Sequence, residues 1–462
     1  MSASFILALV YLLTCLGLIL RMVRRRTLLS VHIGALAVFS IGYYPLPVLF
    51  KPISPLALIA DEKVFQALLI YYLFLCAIVV SSLWMTRFTA AVAPMRFGAM
   101  DPIAFRHRAA IAWVAFGLYL VYVATTSRTS YSSEDFDAFF QQQSNFRALV
   151  SALAGFCAGF ISLAYAAAAA GGQRRAQFTF GAMIILMVAL ALPLGQRLAA
   201  IAPIIMLFAA MASMRQTGKA LRILVVAVVF LMAVSPFAVY LREARRAKSG
   251  EFLSAAEVAG HYQLSSNPAM QSFQSVIDRS DLVFNTVFMK DYIDRTGFAN
   301  WTYYYSVLVA PIPRLIYPDK PYVLSDDGTI EGDISVKAWR LAFGTFGSLT
   351  AFGGLTAYRE GGWIGVVLDG LALGALFAFL ARWLGEGSFL ARVFYAHFFL
   401  LFAVQKAPPC FFEALASLLG FLPLLLALLA VGLAPVFTRL APRPSRGGAR
   451  EARVAPISGR AS

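Results

Sequence analysis

Apolar segments about twenty residues long recur along most of this 462-residue chain, and they constrain its fold more than any other feature. Each is close to the length that an α-helix needs to cross a bilayer. Only 13% of the residues are charged, roughly half the fraction of a typical soluble domain. We predict an all-α polytopic membrane protein with about eleven transmembrane helices, at residues 4–20, 28–50, 65–85, 109–127, 147–170, 177–194, 198–214, 220–241, 362–384, 392–410 and 416–438.

One long polar interruption divides these helices into two groups. Eight helices lie in residues 1–241, one large extracytoplasmic loop occupies 242–361, and three helices follow in 362–438. The Pro408-Pro409 pair must break or end the tenth helix, because proline removes a backbone donor. Residues 439–462 are rich in Arg, Pro, Gly and Ser, and this composition predicts a disordered basic cytoplasmic tail.

The net charge of +16 follows the positive-inside pattern and does not indicate a nucleic-acid partner. With the N-terminus outside, the inner loops and tail carry 21 Lys/Arg and 3 Asp/Glu, whereas the outer loops carry 17 and 18. The sequence therefore predicts an outer N-terminus and a cytoplasmic C-terminus. The four cysteines lie in or beside apolar segments and the four histidines are scattered, so we expect neither a metal site nor a cofactor.

Two arginines on the outer side are candidates for binding a phosphate group. Arg197 follows Gly195-Gln196 in a tight turn between apolar helices, where arginine is costly without an anionic partner. Arg314 ends Pro311-Ile312-Pro313-Arg314, whose prolines stiffen the mount of a guanidinium that can fork onto phosphate oxygens. The alternatives are an arginine that reaches the lipid headgroups and a turn at the membrane surface.

Two further charged positions lie in the large loop. Arg279 stands beside Asp281, which predicts either a ligand contact or a surface ion pair. Lys320, between Asp319 and Pro321, either adds a point charge to a phosphate site or belongs to an ordinary turn. The aromatic residues Trp301, Tyr304 and Tyr305 either stack on sugar rings or form an interfacial aromatic belt.

Arg359 and Glu360 stand at the outer start of the ninth helix, just before Gly361-Gly362. Glu360 is the best-placed carboxylate for a general base near the membrane, with Asp281 and His261 as competitors and a solvated charge as the alternative. Asp369 falls within the helix itself, where a carboxylate is costly in lipid, so we expect it to face the interior of the bundle.

The run from Arg279 to Pro321 resembles the signature of the Wzy-type O-antigen polymerases, which join oligosaccharide repeat units in bacteria. The residues that carry the resemblance are Arg279 with Asp281, Tyr303-Tyr304-Tyr305, Ile312-Pro313-Arg314, Tyr317 and Pro318-Asp319-Lys320-Pro321. Gly195-Gln196-Arg197 is similar to the family's glycine-arginine turn, and residues 361–374 to its glycine-spaced helix after the loop. The chain departs from the family at Arg359-Glu360-Gly361, where an aromatic-glycine step is common, and at Tyr317, where tryptophan is common.

The resemblance implies a GT-C-like glycosyltransferase of the bacterial inner membrane, whereas the eleven helices and the outer, periplasmic N-terminus predicted from the charge pattern differ from the even helix count that is frequent in the family. It implies that a glycan on undecaprenyl pyrophosphate is transferred to a repeat unit on a second such lipid, without a metal. Arg197, Arg279, Arg314 and Glu360 would be catalytic, and Lys320, Asp281, Trp301, Tyr304, Tyr305 and Arg359 would bind substrate. Membrane lipids, a chain-length regulator and a flippase are the expected partners.

Two other functions compete with polymerisation at this point. An O-antigen ligase shares the lipid-linked donor and the large outer loop, but it transfers the glycan to lipid A core. A transporter of the lipid-linked glycan would show repeated halves and paired polar groups at the membrane midplane. This chain instead has one asymmetric loop and few charges within its apolar segments, which favours an enzyme.

Overall fold

The computed structural model describes residues 2–51, 55–127, 145–192, 197–230, 282–299, 301–309, 353–402 and 408–420, together with 312, 317, 337–338 and 341. All regular elements in this part of the chain are helical. They are α1 (Ala3–Arg25), α2 (Leu28–Tyr43), α3 (Pro45–Leu49), α4 (Asp61–Thr89), α5 (Met100–Arg106), α6 (Arg108–Ser127), α7 (Asn145–Ala170), α8 (Arg174–Ala191), α9 (Arg197–Ser213), α10 (217–230), α11 (Leu282–Thr296), α12 (Thr302–Val309), α13 (Gly353–Leu380), α14 (Phe389–Leu400) and α15 (Phe411–Gly420). A 3₁₀ turn, Pro55–Leu58, precedes α4, and a π-helical turn, Ala381–Gly385, follows α13.

Six of these helical segments are long and apolar enough to cross a membrane, which confirms a polytopic membrane protein. They are Ala3–Arg25, Leu28–Leu49, Asp61–Thr89, Leu153–Ala170, Arg174–Ala191 and Gly353–Gly385. Shorter apolar helices at Arg108–Val123, Ala200–Ser213 and Phe389–Leu400 coincide with three further predicted spans. The spans predicted at 220–241 and 416–438 extend outside the described residues, so the total of eleven stays a prediction.

The two ends of the helical bundle differ in charge. At one end, which we call the basic end, the connections after α1, α5, α7 and α9 carry Arg26, Arg108, Arg174, Arg215 and Lys219. Hydrogen bonds hold these connections together: the Arg108 guanidinium donates to Gln173, and the Gln216 amide donates to the Ala166 carbonyl over 2.8 Å. At the opposite end, Ser4 at the start of α1 donates to Asp61 at the start of α4.

The helix α13 reverses its direction and forms a helical hairpin. Gly361 (φ −150°, ψ 20°) and Gly362 (φ 60°, ψ −148°) leave the helical region, and the Gly362 conformation is one that glycine alone adopts readily. Gly354 and Gly370 both pack on Phe74 of α4, although a straight helix would separate them by about 24 Å. We call residues 353–360 the first limb, Gly361-Gly362 the tip and residues 363–380 the second limb.

Small residues let the hairpin pack tightly on itself and on α4. A Cβ atom at Gly365 would lie 2.4 Å from the Ala357 carbonyl oxygen, so the two limbs cross without room for a side chain. Gly370 and Gly374 form a Gly-x-x-x-Gly pair that abuts the backbone of α4 at Phe74 and Ile78. Close contact without side chains in between is the usual means of helix association in a membrane.

The chain breaks again between α14 and α15. Residues 408–410 are not helical, which confirms the break predicted at Pro408-Pro409. The Gly353 amide at the base of the first limb donates to the Pro408 carbonyl over 3.2 Å. Non-helical backbone inside a membrane protein is tolerated where other protein groups form hydrogen bonds with its N–H and C=O groups. Here the base of the hairpin supplies such a partner.

Candidate active site at the helical hairpin

The buried charged side chains of the described residues are gathered in one place. They are Lys290 on α11, Arg359 and Glu360 on the first limb, and Asp369 on the second limb, with 7%, 4%, 2% and 6% of their surface exposed. Charged groups inside a membrane protein are costly, and they usually mark a substrate site or a proton path. The concentration of all four at the hairpin and the helix beside it therefore identifies the candidate site.

Arg359 and Glu360 form a buried ion pair one step below the tip. The Nε atom of Arg359 lies 3.8 Å from Oε1 of Glu360. Adjacent residues of a regular helix point in different directions, so the end of the first limb at Gly361 is where such a pair can form. A buried pair of this kind places a cation and a carboxylate together in a region of low dielectric constant, where both act strongly on a ligand.

The segment after α11 covers the tip with aromatic rings. The Ala299 amide donates to the Arg359 carbonyl over 2.9 Å, and Phe298 packs edge-on against Tyr358 at a centroid distance of 5.8 Å. A Cβ atom at Gly362 would lie 3.0 Å from the Phe298 ring, so glycine is needed there for contact as well as for conformation. The tip thus has no side chains of its own. Its surface comes from Phe298 and Trp301, which belong to residues 297–309, called here the loop segment.

The helix α11 contributes a second set of polar contacts that the sequence analysis missed. Lys290 pairs with Asp294 one turn later, and the Tyr358 hydroxyl donates to the other oxygen of Asp294 over 2.8 Å. The Lys290 ammonium also lies 5.3 Å from the centroid of the Tyr358 ring. The sequence does place Lys290 and Asp294 at an i, i+4 spacing, but Asp291 and Arg295 stand beside them, so the pair is not unusual in its context.

Asp369, on the second limb, connects three segments of the chain through its carboxylate. Its Oδ1 accepts a hydrogen bond from the Tyr304 hydroxyl at 3.0 Å, and its Oδ2 accepts one from the Phe411 amide at 2.8 Å. The Phe411 amide belongs to the first turn of α15, where a carboxylate is a favourable cap. The prediction that Asp369 faces the interior of the bundle is confirmed.

Tyr304 is held by its ring as well as by its hydroxyl. The ring is 3% exposed and stacks on Phe412 at 4.2 Å between centroids. Burial, and after it the neighbouring Asp369, Cys410 and Glu360, raises the pKa of Tyr304 well above its ordinary value. Tyr304 is therefore a protonated hydrogen-bond donor at neutral pH, and its ring faces are covered by protein.

The other predicted aromatic residues are placed differently from Tyr304. Trp301 and Tyr305 are 52% and 55% exposed, so each ring is accessible at the surface of the protein. Trp301 has a positive φ of 71° and lies next to Gly361 of the tip. The predicted pair of roles, sugar stacking or an aromatic belt, stays open for both residues.

The predicted cations are described only in part. Arg197 begins α9, at the end of the bundle where α4 also begins, and its side chain is not among the described atoms. Arg279, Asp281, Arg314 and Lys320 lie outside the described residues, and so does His261. The structure thus places Arg359, Glu360, Trp301 and Tyr304 within one connected group, and it leaves the remaining predicted residues as proposals.

Comparison with known proteins gives one match. A family profile described as O-antigen polysaccharide polymerase Wzy matches residues 1–292, which is well over half of the 462 residues. The matched range contains Arg197, Arg279 and Asp281 and ends within α11, so the hairpin lies beyond it. Neither the search of curated proteins nor the search of solved structures returned a significant match.

Proposed function

This chain belongs to the O-antigen polysaccharide polymerase Wzy family, and on that premise we propose the reaction it performs. It polymerises O-antigen repeat units as a membrane enzyme that acts on lipid-linked oligosaccharides. The proposed donor is a growing glycan on undecaprenyl pyrophosphate, and the proposed acceptor is a single repeat unit on the same lipid. Transfer takes place at the periplasmic face of the inner membrane.

The cluster of buried charges at the hairpin is the observation that supports this reaction most directly. An acceptor hydroxyl attacks C1 of the donor sugar, the bond from C1 to the pyrophosphate oxygen breaks, and the hydroxyl proton passes to a base. This chemistry needs a carboxylate and at least one cation away from bulk water. Arg359 and Glu360 provide both at 4% and 2% exposure, beside exposed aromatic rings that suit a sugar.

We assign Glu360 as the base that removes the acceptor proton, and Arg359 as a donor to the pyrophosphate. Arg197, Arg279, Arg314 and Lys320 are proposed to stabilise the charge that develops on the leaving pyrophosphate. A guanidinium suits this task because it can donate two parallel hydrogen bonds to phosphate oxygens. The polar group at the hairpin would then hold the acceptor, while the proposed cations Arg279, Arg314 and Lys320 bind the donor's pyrophosphate.

Trp301 and Tyr305 are proposed to stack on the sugars of the repeat unit. The exposed Trp301 ring lies next to Gly361 of the tip, and the exposed Tyr305 follows one helical turn later, where its amide donates to the Trp301 carbonyl. Stacking of this kind binds a sugar ring through its apolar face without fixing its hydroxyl pattern. Tyr304, with its ring covered by Phe412 and Trp301, is proposed to support the loop segment from below.

A cell-free extension assay tests the proposed function. Purified protein in detergent is mixed with undecaprenyl-pyrophosphate repeat units, without nucleotide sugars, and the products are sized on a gel. We expect a ladder of polymer that forms equally in the presence of a metal chelator, because side-chain cations are proposed to replace a metal. Transfer that requires lipid A core would indicate a ligase, and flipping in vesicles without any transfer would indicate a transporter.

A further inference from the structure

The carboxylate of Asp369 is committed entirely to protein contacts. One oxygen accepts from Tyr304 at 3.0 Å and the other from the Phe411 amide at 2.8 Å, and the side chain is 6% exposed. Tyr304 and Phe411 are 65 and 42 residues away from Asp369 along the chain. A single buried group therefore joins the loop segment, the second limb and the start of α15.

The same three segments are also tied to the first limb. Its base is held by the Gly353 amide on the Pro408 carbonyl at 3.2 Å, and its end by the Ala299 amide on the Arg359 carbonyl at 2.9 Å. Between the limbs stand only Gly361 and Gly362, whose backbone is unusually free to rotate. The tip alone therefore does not fix the angle between the limbs, and the contacts at both ends of the first limb act together with the direct packing of the limbs at Gly365.

We infer that Tyr304 and Asp369 form a latch that positions Arg359 and Glu360 for the reaction. Tyr304 holds the loop segment onto the second limb, and the loop segment in turn holds the Arg359 backbone. Asp369 and Tyr304 are positioning residues in this view, since neither needs to touch the substrate. The inference rests on the proposed function, because it concerns the placement of the proposed base and the proposed phosphate ligand.

Two substitutions open the latch in different ways. Y304F keeps the ring stacked on Phe412 and removes only the hydroxyl, whereas D369L keeps most of the volume and removes both acceptors. D369N is the conservative variant, because an amide can still accept from Phe411 and can meet the Tyr304 hydroxyl. D291N is the matched control, since Asp291 carries the same functional group in an ion pair with Lys63 on the outer side of α11.

Steady-state kinetics of extension give the main test. We expect Y304F and D369L each to lower kcat by roughly 10-fold or more, because small displacements of catalytic groups cost orders of magnitude in rate. KM for the lipid-linked repeat unit should stay unchanged, and the double variant should be no slower than the slower single variant. The kcat of D369N should stay within about threefold of the wild-type value, because the amide keeps its hydrogen-bond partners. The kcat of D291N should equal the wild-type value.

A second measurement does not depend on activity. Amide hydrogen exchange in Y304F and D369L should accelerate in residues 302–309 and 353–360, and it should stay unchanged in α8. Unchanged exchange rates in both Y304F and D369L would overturn the latch. Effects of these substitutions on KM alone would also overturn it, and so would a kcat of D369N as low as that of D369L. If the wild type makes no polymer, the proposed function fails, and exchange alone then decides whether the latch exists.

Discussion

At the residue scale, the feature that needs explanation is a charged pair next to two glycines in a membrane protein. Arg359 and Glu360 are buried at the hairpin, where an apolar pair of similar size would avoid the cost of removing charges from water. The reaction proposed for the two residues accounts for charges at such a position.

Neutralising one partner at a time separates stability from chemistry at this pair. R359Q and E360Q each remove one charge of the buried ion pair, which should cost about 3–5 kcal/mol and lower the thermal unfolding midpoint. The double variant should be less destabilised than the sum of the two single variants, because both changes act on the same interaction. All three should lose polymer extension, by about 10²-fold or more for E360Q if Glu360 is the base. Extension by the stable double variant would rule out both roles.

Arg314 offers a second test at the residue scale, through the shape of the cation. R314A should abolish chain extension while membrane insertion stays intact, because Arg314 is proposed to stabilise the charge on the leaving pyrophosphate and lies outside the predicted transmembrane helices. R314K keeps the charge but loses the planar fork, so we expect partial activity. Long-chain product in an O-antigen gel from cells that carry R314A would remove Arg314 from the proposed site.

The residue-scale predictions from sequence were accurate where a single position was unusual in its context. Asp369 is a carboxylate in an apolar helix, and its inward orientation followed from that alone. Lys290, Asp294 and Tyr358 were missed, because each is ordinary beside its neighbours in sequence. They become a polar group only when α11 packs beside the first limb, a contact between segments about sixty residues apart that no local pattern contains.

At the element scale, the hairpin divides into a part that was predictable and a part that was not. The second limb continues through Ala381–Gly385 and occupies nearly the same residues as the predicted span 362–384. The first limb, Gly-Gly-Leu-Thr-Ala-Tyr-Arg-Glu, is too short to cross a bilayer and ends in two charges. These eight residues fall within the predicted loop 242–361, and the structure shows that they form a buried helix, which composition alone did not indicate.

Substituting a glycine of the tip tests the backbone conformation on which the hairpin depends. G362A should lose about 1–3 kcal/mol, because φ of 60° with ψ of −148° is strained for any residue with a Cβ atom. The new methyl group would also meet Phe298 at 3.0 Å. G117A is the matched control: Gly117 lies within α6 with no atom within 4 Å of a built Cβ. There the change should be neutral or favourable by up to about 1 kcal/mol. Equal thermal unfolding midpoints for the two variants would contradict the reversal at Gly362.

At the scale of the whole molecule, charge orders the bundle. The basic end gathers the arginine-rich connections, and the hairpin tip, the start of α4 and the start of α1 lie at the other end. We propose that the basic end faces the cytoplasm, as the positive-inside rule requires. This orientation places the candidate site on the periplasmic side, where the proposed reaction needs it.

Cysteine labelling in intact cells checks this orientation. The native cysteines Cys15, Cys157 and Cys410 are buried and Cys76 is half-buried, so the background should be low. E62C, at the exposed start of α4, should react with a membrane-impermeant maleimide in cells whose outer membrane is permeable to it. R175C, at the exposed start of α8, should react only after the inner membrane is opened. The reverse pattern would place the hairpin in the cytoplasm and contradict the proposed reaction.

The eight-residue first limb also has a consequence for how the protein is made. A translocon sorts nascent segments by length and hydrophobicity, and this segment is too short and too charged to be released sideways into lipid as a span of its own. Its contacts with α4 and with residues 408–410 exist only after both have been synthesised. The candidate site should therefore assemble only after Phe411 has been synthesised, which is late in translation, since it is the last residue that holds the site.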